Sequence, residues 1–516
     1  MTKPKLNISL QGEAIATIAG RCDLIIGTLP FGDTNAGKTI PNVQTMSASE
    51  LDAMFGARSD LRNKIARFLK TNKRYSRLDV QTLEQDTSAV VADGEITFAG
   101  TAATEDGELE ITVVDEEFKA TIEVEEDDTP TDIALKVKNA FAASVFSNIP
   151  VTSDSSLGVA SFDAVDAGTL GNYYGLKVSG SVAGITYTIT AFTNGATDPA
   201  YTSSDFPSRR YTGVAIPRFL YTSIDVFSGV LDARFNVDNK IMDGVGFIGY
   251  DESYSNIVSN LTDKNSKSIV YMGNKLVPSP HPVPFTAQSG ASIMTPADWR
   301  VCEFLGIRSL RMTPDAPISD YVYASNLDNF GGAELASLPY FNTPMTSVST
   351  TEAVLLFDEE EKTGLETIGY AVVDVNSAEN AMLLGGVATS YKTDGLGNTD
   401  LTWKYLNYVD TGSICREYIF NNMKIDLAQM RLTEGDLIPD RNIQNTGSIE
   451  ALFMKYYGEL ADAVLVQGGA SVTSLVAKGL VVALDLATRT VTLTAKIPIV
   501  TQIGTVNMTI TQKFTV

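Results

Sequence analysis

Residues 32–39, GDTNAGKT, carry the spacing G-x-x-x-x-G-K-T of a phosphate-binding loop. In such a loop, backbone N–H groups and a helix N-terminus cradle an anion while the lysine reaches the terminal phosphates. Leu24, Ile25 and Ile26 offer the strand that must come before it. The continuation does not fit. Pro41 stands where the helix should already be running and biases Ile40 away from helical geometry. Asp33 adds a negative charge beside the anion cradle, and Pro30 interrupts the approach from the strand. The later VVADG passes as a metal-binding strand end only under a rule that several other runs satisfy. A turn-rich surface loop is the expectation for 32–39; a P-loop ATPase is the alternative it leaves open.

Other chemistry-bearing residues are sparse. Gly244, Gly246 and Gly249 match G-x-G-x-x-G but lie within the apolar run DGVGFIGY, away from any strand-to-helix turn where a dinucleotide would bind. The single histidine, His281, sits among prolines in PSPHPVPF, which excludes histidine triads and multi-histidine metal sites. EVEEDD and DEEEK lack calcium-loop spacing and read as solvated turns or helix faces. Cys22, Cys302 and Cys415 are odd in number and far apart, so neither a disulfide framework nor a paired metal knuckle is written here, and a reducing compartment fits. No catalytic residue, cofactor or metal site is expected, and the chain reads as a non-enzyme.

The elements that would position any site belong to a large globular protein. A chain of 516 residues, 44% hydrophobic, can bury the cores of about two to four domains. Its net charge of −23, from 62 acidic and 39 basic residues, disfavours direct contact with nucleic acid. No run of about eighteen apolar residues occurs and the N-terminus lacks a targeting core, so no direct membrane insertion is expected.

Ser47 and Glu50 have capping-box spacing, and Leu61, Ile65, Phe68 and Leu69 then recur at helical intervals, predicting two helices between 46 and 70 and a strand over 77–83. From Ala92 the pattern changes to alternating strands between acidic turns, with Leu109, Ile111 and Val113, then Phe118, Ala120, Ile122 and Val124, on one side. Thr129 and Pro130 start a helix carrying Ile133, Val137, Ala140 and Phe141. The polar run 193–210 reads as a return linker. After it, FIGYDESYSNIVSNLTDKNSKSIVYMGN predicts a strand, a helix and a strand of an α/β core. Trp403, Leu406, Val409 and Ile414 have roughly helical spacing. Leu452, Met454, Tyr456, Leu460 and Val464 form the apolar stripe of a helix over 448–467, opposite the charges Glu450, Lys455, Glu459 and Asp462.

Both chain ends alternate as strands do. Leu6, Ile8 and Leu10 open the sequence; Val491, Leu493, Ala495, Ile497 and Ile499, then Val506, Met508, Ile510, Phe514 and Val516, close it, with a break near Gly504. Terminal strands fray unless tethered, either by the chain's own sheet or by a neighbour's sheet edge. Burying five side chains yields at most about 8 to 15 kcal/mol, and fixing about ten to twelve residues costs roughly 1 to 2 kcal/mol each. An arm of this kind is expected to order when a preformed edge adds its ladder of hydrogen bonds.

The run 401–424, LTWKYLNYVDTGSICREYIFNNMK, preceded by VATSYKTDGLGNTD at 387–400, resembles contractile tail sheath proteins of Mu-like and related myovirus-type bacteriophages. FGARSDLRNKIARFLKTNKRYSRLDVQTL is similar to an earlier sheath run. The strands from 92 and the AGTLGN turn at 167–172 resemble the small β-rich domain inserted in such sheaths. The resemblance covers most of the chain and is most specific at 53–85, 92–180 and 387–424.

What it implies is an α/β (α+β) core with a mixed sheet over 21–87 and 207–489. An inserted β-rich outer domain would occupy 88–206, with extended terminal β-arms at 1–20 and 490–516. It further implies a subunit that stacks as hexameric rings around a tail tube, assembles in the host cytoplasm, meets baseplate and tail terminator proteins in the virion, and contracts to drive the tube through the host envelope. In sheaths the terminal arms pair with adjacent subunits, and a late helix faces the tube. Leu6, Ile8, Leu10, Val506, Met508, Ile510, Phe514 and Val516 are then arm residues, and Glu450, Lys455, Glu459 and Asp462 candidate tube contacts. A solvated helix face explains those four charges equally well. A β-rich surface-layer or adhesin protein is a further alternative, though it calls for an export signal. A tailocin or similar injection device is not separable from a phage by this sequence.

Overall fold

The computed structural model describes residues 21–74, 76–115, 117–235, 240–275, 295–312, 343–344, 357–375, 381–383, 387–428, 430–437, 442–462, 465–487, 490–499 and 506–515. Its centre is a sheet begun by β1 (Cys22–Leu29), β2 (Thr39–Ile40) and β3 (Arg77–Glu84) and continued by β11 (Gly213–Ile216), β12 (Val245–Gly249), β13 (Ile269–Gly273), β14 (Thr343–Pro344), β15 (Tyr370–Val375) and β16 (Ala381–Leu383). The order is β14-β16-β15-β13-β12-β11-β1-β3-β2, parallel from β15 to β3 and antiparallel at both margins. β1, β11, β12 and β13 are buried along their whole length, as near-continuous apolar runs require when helices cover both faces.

One face buries Ile25, Val80, Ala215, Phe247 and Val270 under α1 (Ala48–Phe55), α2 (Asp60–Asn72) and α6 (Ala297–Arg311). The other buries Leu24, Ile26, Val214, Ile248 and Tyr271 under α4 (Ile224–Phe235) and α5 (Tyr254–Leu261). Local signals set the helix starts. Ser47 and Glu50 form the expected capping box on α1, and Ser59 caps α2 by accepting the Arg62 N–H.

Seven strands between β3 and β11 build a separate β-rich unit. β4 (Val91–Gly100), β7 (Val151–Ser156), β8 (Val159–Ala167) and β10 (Ile185–Thr193) form one sheet. The second contains β5 (Gly107–Val114), β6 (Lys119–Val124) and β9 (Gly175–Ser179). Both pack with α3 (Pro130–Ala142), whose N-cap is Thr129 with Asp132 completing a capping box. Phe98, Ile111, Val137, Phe141 and Phe162 lie in its core, and so does Trp299, which reaches in from α6. Where the chain enters and leaves the unit, Val90 and Ala196 exchange two backbone hydrogen bonds of 3.0 and 3.2 Å.

The return linker is less solvated than its composition suggests. The unit leaves from the carboxyl end of β3, and β11 begins at the amino end of the parallel strands, so the segment must run back along the sheet face. It buries Tyr201 and Phe206 as it does so, with Tyr201 stacked on Phe227 of α4 at 4.5 Å.

A third body follows. α7 (Glu359–Thr367) is capped by Asp358 and covers the sheet, then α8 (Leu406–Leu427) passes into a cluster with α9 (Thr446–Asp462) and α10 (Ala470–Gly479). Trp403 lies in the turn before α8, not on it. A short parallel pair, β17 (Arg431–Leu432) and β18 (Ile443–Gln444), links α8 to α9. β19 (Val481–Asp485), β20 (Thr490–Ile499) and β21 (Val506–Thr515) complete the body as a sheet with β20 in the middle.

Candidate functional site

The phosphate-loop spacing does not build a phosphate site. After β1 the chain turns through Asp33–Ala36, with the Asn35 N–H bound to Asp33 Oδ1 at 2.7 Å and the Lys38 ammonium bound back to the Thr34 carbonyl. Thr39 and Ile40 then form β2 against β3, and the next α-helix begins only at Ala48. Among the described residues no α-helix starts directly from the loop, so the anion cradle of a phosphate-binding loop is not formed there. VVADG falls on β4 in the β-rich unit, away from β1. The G-x-G-x-x-G glycines serve packing: a Cβ on Gly249 would come within 2.5 Å of the Ala297 backbone, where β12 meets the start of α6.

The order β3-β1-β11-β12-β13 reverses between β1 and β11, the place where open α/β sheets commonly bind ligands. Here that place is filled by the seat of the β-rich unit. Asp60 opens α2 and Asp298 opens α6, and both hold the Lys64 ammonium at 2.8 Å. Asp60 also accepts the Trp299 indole N–H at 2.6 Å, and Asp298 accepts the Arg218 backbone N–H at 3.0 and 3.1 Å. From the unit, Asp166 on β8 accepts the Asp60 N–H at 2.6 Å, and Asp115 accepts from Arg67 at 2.8 Å. The Arg67 guanidinium lies 5.4 Å above the Trp299 ring.

Burial opposes the Lys64 charge, but Asp298 and Asp60 more than offset it and raise its pKa. Burial pushes the Asp166 carboxyl up to about 7 and the Asp115 carboxyl up to about 6.

A second buried network ties α8 to the amino ends of the same strands. Arg308 of α6 grips Asp410 with two bonds of 2.6 and 3.1 Å and donates to the Thr212 carbonyl at 2.9 Å. Glu417 pairs with Arg21 at 3.3 Å and Arg210 at 3.0 Å, and Arg416 pairs with Asp243 at 2.9 Å. Sequence reasoning missed both networks. One signal was available: α6, ADWRVCEFLGIRSLR, spreads charges over more than half of its circumference, which suits a helix whose charges are met by other buried charges.

The residues expected from sequence fall as follows. Leu6, Ile8, Leu10, His281, Val464 and Val516 lie outside the described residues. Val491, Leu493, Ala495, Ile497 and Ile499 all point from β20 into the core shared with α8 and α9. Val506, Met508, Ile510 and Phe514 stand on β21, opposite Ile499, Ile497, Ala495 and Val491 of the same chain. Among the described residues β21 is therefore an edge strand, as is β19, where Val481 remains 60% exposed.

On α9, Glu450, Lys455 and Asp462 are exposed. Glu459 is half-buried and accepts the Tyr418 hydroxyl of α8, so it stands apart from the other three. Ile449, Phe453, Tyr456, Tyr457 and Leu460 are the buried stripe of α9, with Leu452 and Met454 only partly covered. A groove lined by Asp426, Met430, Gln444, Leu452 and Lys455 runs between α8 and α9.

Among the described residues no group of three His, Cys, Asp or Glu is disposed to hold a metal ion, and no described helix is long and apolar enough to cross a membrane. No family model matches the chain and no curated protein matches it. Solved structures that it resembles include the sheath tail protein from Desulfitobacterium hafniense, at 12% identity and TM-score 0.47 with 100% of both chains covered. The sheath tail protein from Listeria innocua gives 11% identity and TM-score 0.46 over 99% of both chains. A chain of the anti-feeding prophage baseplate gives 11% identity and TM-score 0.28 over 59% of this chain and 65% of its own.

Proposed function

We propose that this chain is the structural subunit of a contractile phage tail sheath, built to polymerise around a tail tube and to shorten without hydrolysing a cofactor. The observation that carries this reading is the edge position of its last strand. β21 pairs along ten residues with β20 and, among the described residues, has no strand on its other side. Each ladder bond contributes about 0.5 to 1.5 kcal/mol net, while ordering each residue costs about 1 to 2 kcal/mol. The strand is thus held by a narrow margin, and a neighbour's sheet edge offers the same ladder. The resemblance at 387–424 supports the reading from the sequence side: those residues become the hairpin, turn and α8 that anchor this terminal body to the core.

In this reading the arms carrying Leu6, Ile8 and Leu10, and Val506 to Val516, join adjacent subunits in stacked hexameric rings. The core bodies exchange interfaces on contraction, and the free energy released was stored at assembly. α9 faces the tube through Glu450, Lys455 and Asp462, with Glu459 bracing α8. The β-rich unit is an inserted outer domain, and the rings end at baseplate and terminator proteins in the virion tail.

Deleting Val506–Val516 is the test. The expected product is a soluble monomer with the helical and strand content of the parent, by circular dichroism, that forms no tubes in negative-stain electron microscopy while the full chain does. Tubes formed by the folded truncation would sink the proposal.

A further inference from the structure

The seat of the β-rich unit contains three buried carboxylates around one ammonium. Asp60 and Asp298 each bond Lys64 and each accept at least one further N–H, and burial raises the Asp298 carboxyl against the pull of Lys64. Asp166 is the third, 3% exposed. Its Oδ2 accepts the Asp60 N–H, and its Oδ1 has no partner. The groups that face it are Asp60 and Lys64 on α2 and, within its own unit, the buried Tyr174 phenol, which also lies near Asp298 of α6. Three carboxylates sharing one cation in a dry site cannot all stay ionised, and the one with fewest donors keeps the proton.

Position gives that proton a mechanical role. Asp166 belongs to β8 of the β-rich unit, while Asp60, Lys64 and Asp298 belong to the two helices beneath it. Separating the unit from α2 and α6 hydrates Asp166 and returns it to an ordinary carboxylate. We propose that the β-rich unit is held on the α/β core by a proton-dependent latch, closed when Asp166 is neutral and loosened when Asp166 ionises.

The sign follows from linkage. The closed state holds its proton up to about pH 7, and the open state releases it near 3.8, so between these values the closed form binds the extra proton. Closure is tightest at low pH, weakens as pH rises from about 4 to about 7, and is flat above. Asp115, pushed up by burial against the pull of Arg67, adds a dependence of the same sign up to about 6.

Hydrogen exchange of the full chain, corrected for the intrinsic rate, tests this at pH 5.5 and 8.5. In the wild type, amides of 58–68, 151–167 and 297–303 should open about thirtyfold more readily at the higher pH, the ratio set by a proton lost near 7. Asp166→Asn, neutral and of equal shape, should lose the thirtyfold part and keep only the smaller dependence of the same sign that Asp115 and Asp298 contribute, while Asp163→Asn, exposed on the same strand, should behave as wild type. An Asp166→Asn protein that keeps the wild-type pH dependence overturns the latch. Should that variant not fold, the wild-type midpoint decides: near pH 7 supports it, and no change, or a midpoint below 5, overturns it.

Discussion

Charged residues in this protein differ sharply in worth according to burial. Arg308 and Asp410 are 2% and 1% exposed and meet through two hydrogen bonds, whereas Lys264 and Asp225 pair at 2.7 Å with the Asp225 side chain 74% exposed. Asp410→Asn removes the carboxylate that meets this buried guanidinium through two hydrogen bonds and should cost about 3 to 5 kcal/mol in urea unfolding. Asp225→Asn should cost under about 1 kcal/mol. Equal losses from the two would contradict this account. The local caps were legible in the sequence: Ser47 with Glu50, and Thr129 before Pro130, act within one helical turn. Partners 102 positions apart, as Arg308 and Asp410 are, leave no mark on spacing, so the ion networks were invisible. So was the failure of Glu459 to stand with the other charges of α9, because its Tyr418 partner lies on a different helix.

The crossing of α2 and α6 is what sets the seat. Gly306 lets the helices touch: a Cβ there would stand 2.7 Å from the Phe68 carbonyl oxygen, and Thr71 donates to the Glu303 carbonyl at 3.0 Å across the same contact. Gly306→Leu forces the helices apart and should cost about 3 kcal/mol or more, as overpacking of a close backbone contact does. Because Lys64 and Arg67 ride on α2 and Asp298 and Trp299 on α6, the same variant should also expose the β-rich unit's entry near 86–90 to limited proteolysis. A fall in melting temperature with unchanged cleavage there would separate the crossing from the seat.

Elements with one strong period were readable beforehand: Leu61, Ile65 and Phe68 for α2, and the alternation of Val491 to Ile499 for β20. The order of strands was not, since runs such as CDLIIGTL and IVYMG specify burial on two faces without naming a neighbour. The linker 193–210 reads as a return linker from its polarity, but the burial of its two aromatics depends on a path along the sheet that composition does not encode.

Charge is distributed unevenly over the whole molecule. Residues 88–206 carry 20 acidic and 4 basic side chains, although the entire chain has a net charge of only −23. So dense a negative surface suits the outside of a polymer, where like-charged units spread into solvent, better than a packed contact between copies. The crossing points are already adjacent, since Val90 and Ala196 are hydrogen-bonded to each other, so residues 91–195 can be replaced by a short glycine link. This removes 18 acidic and 4 basic residues and takes the net charge from −23 to −9. Trp299→Gln covers the indole left bare, and Lys64 keeps Asp60 and Asp298 as partners. If the unit faces outward, the shortened chain should fold with a single thermal transition and still form tubes, narrower than those of the full chain by electron microscopy. A folded, monodisperse product that forms no tubes under conditions where the full chain does would place the β-rich unit within the polymer contacts instead.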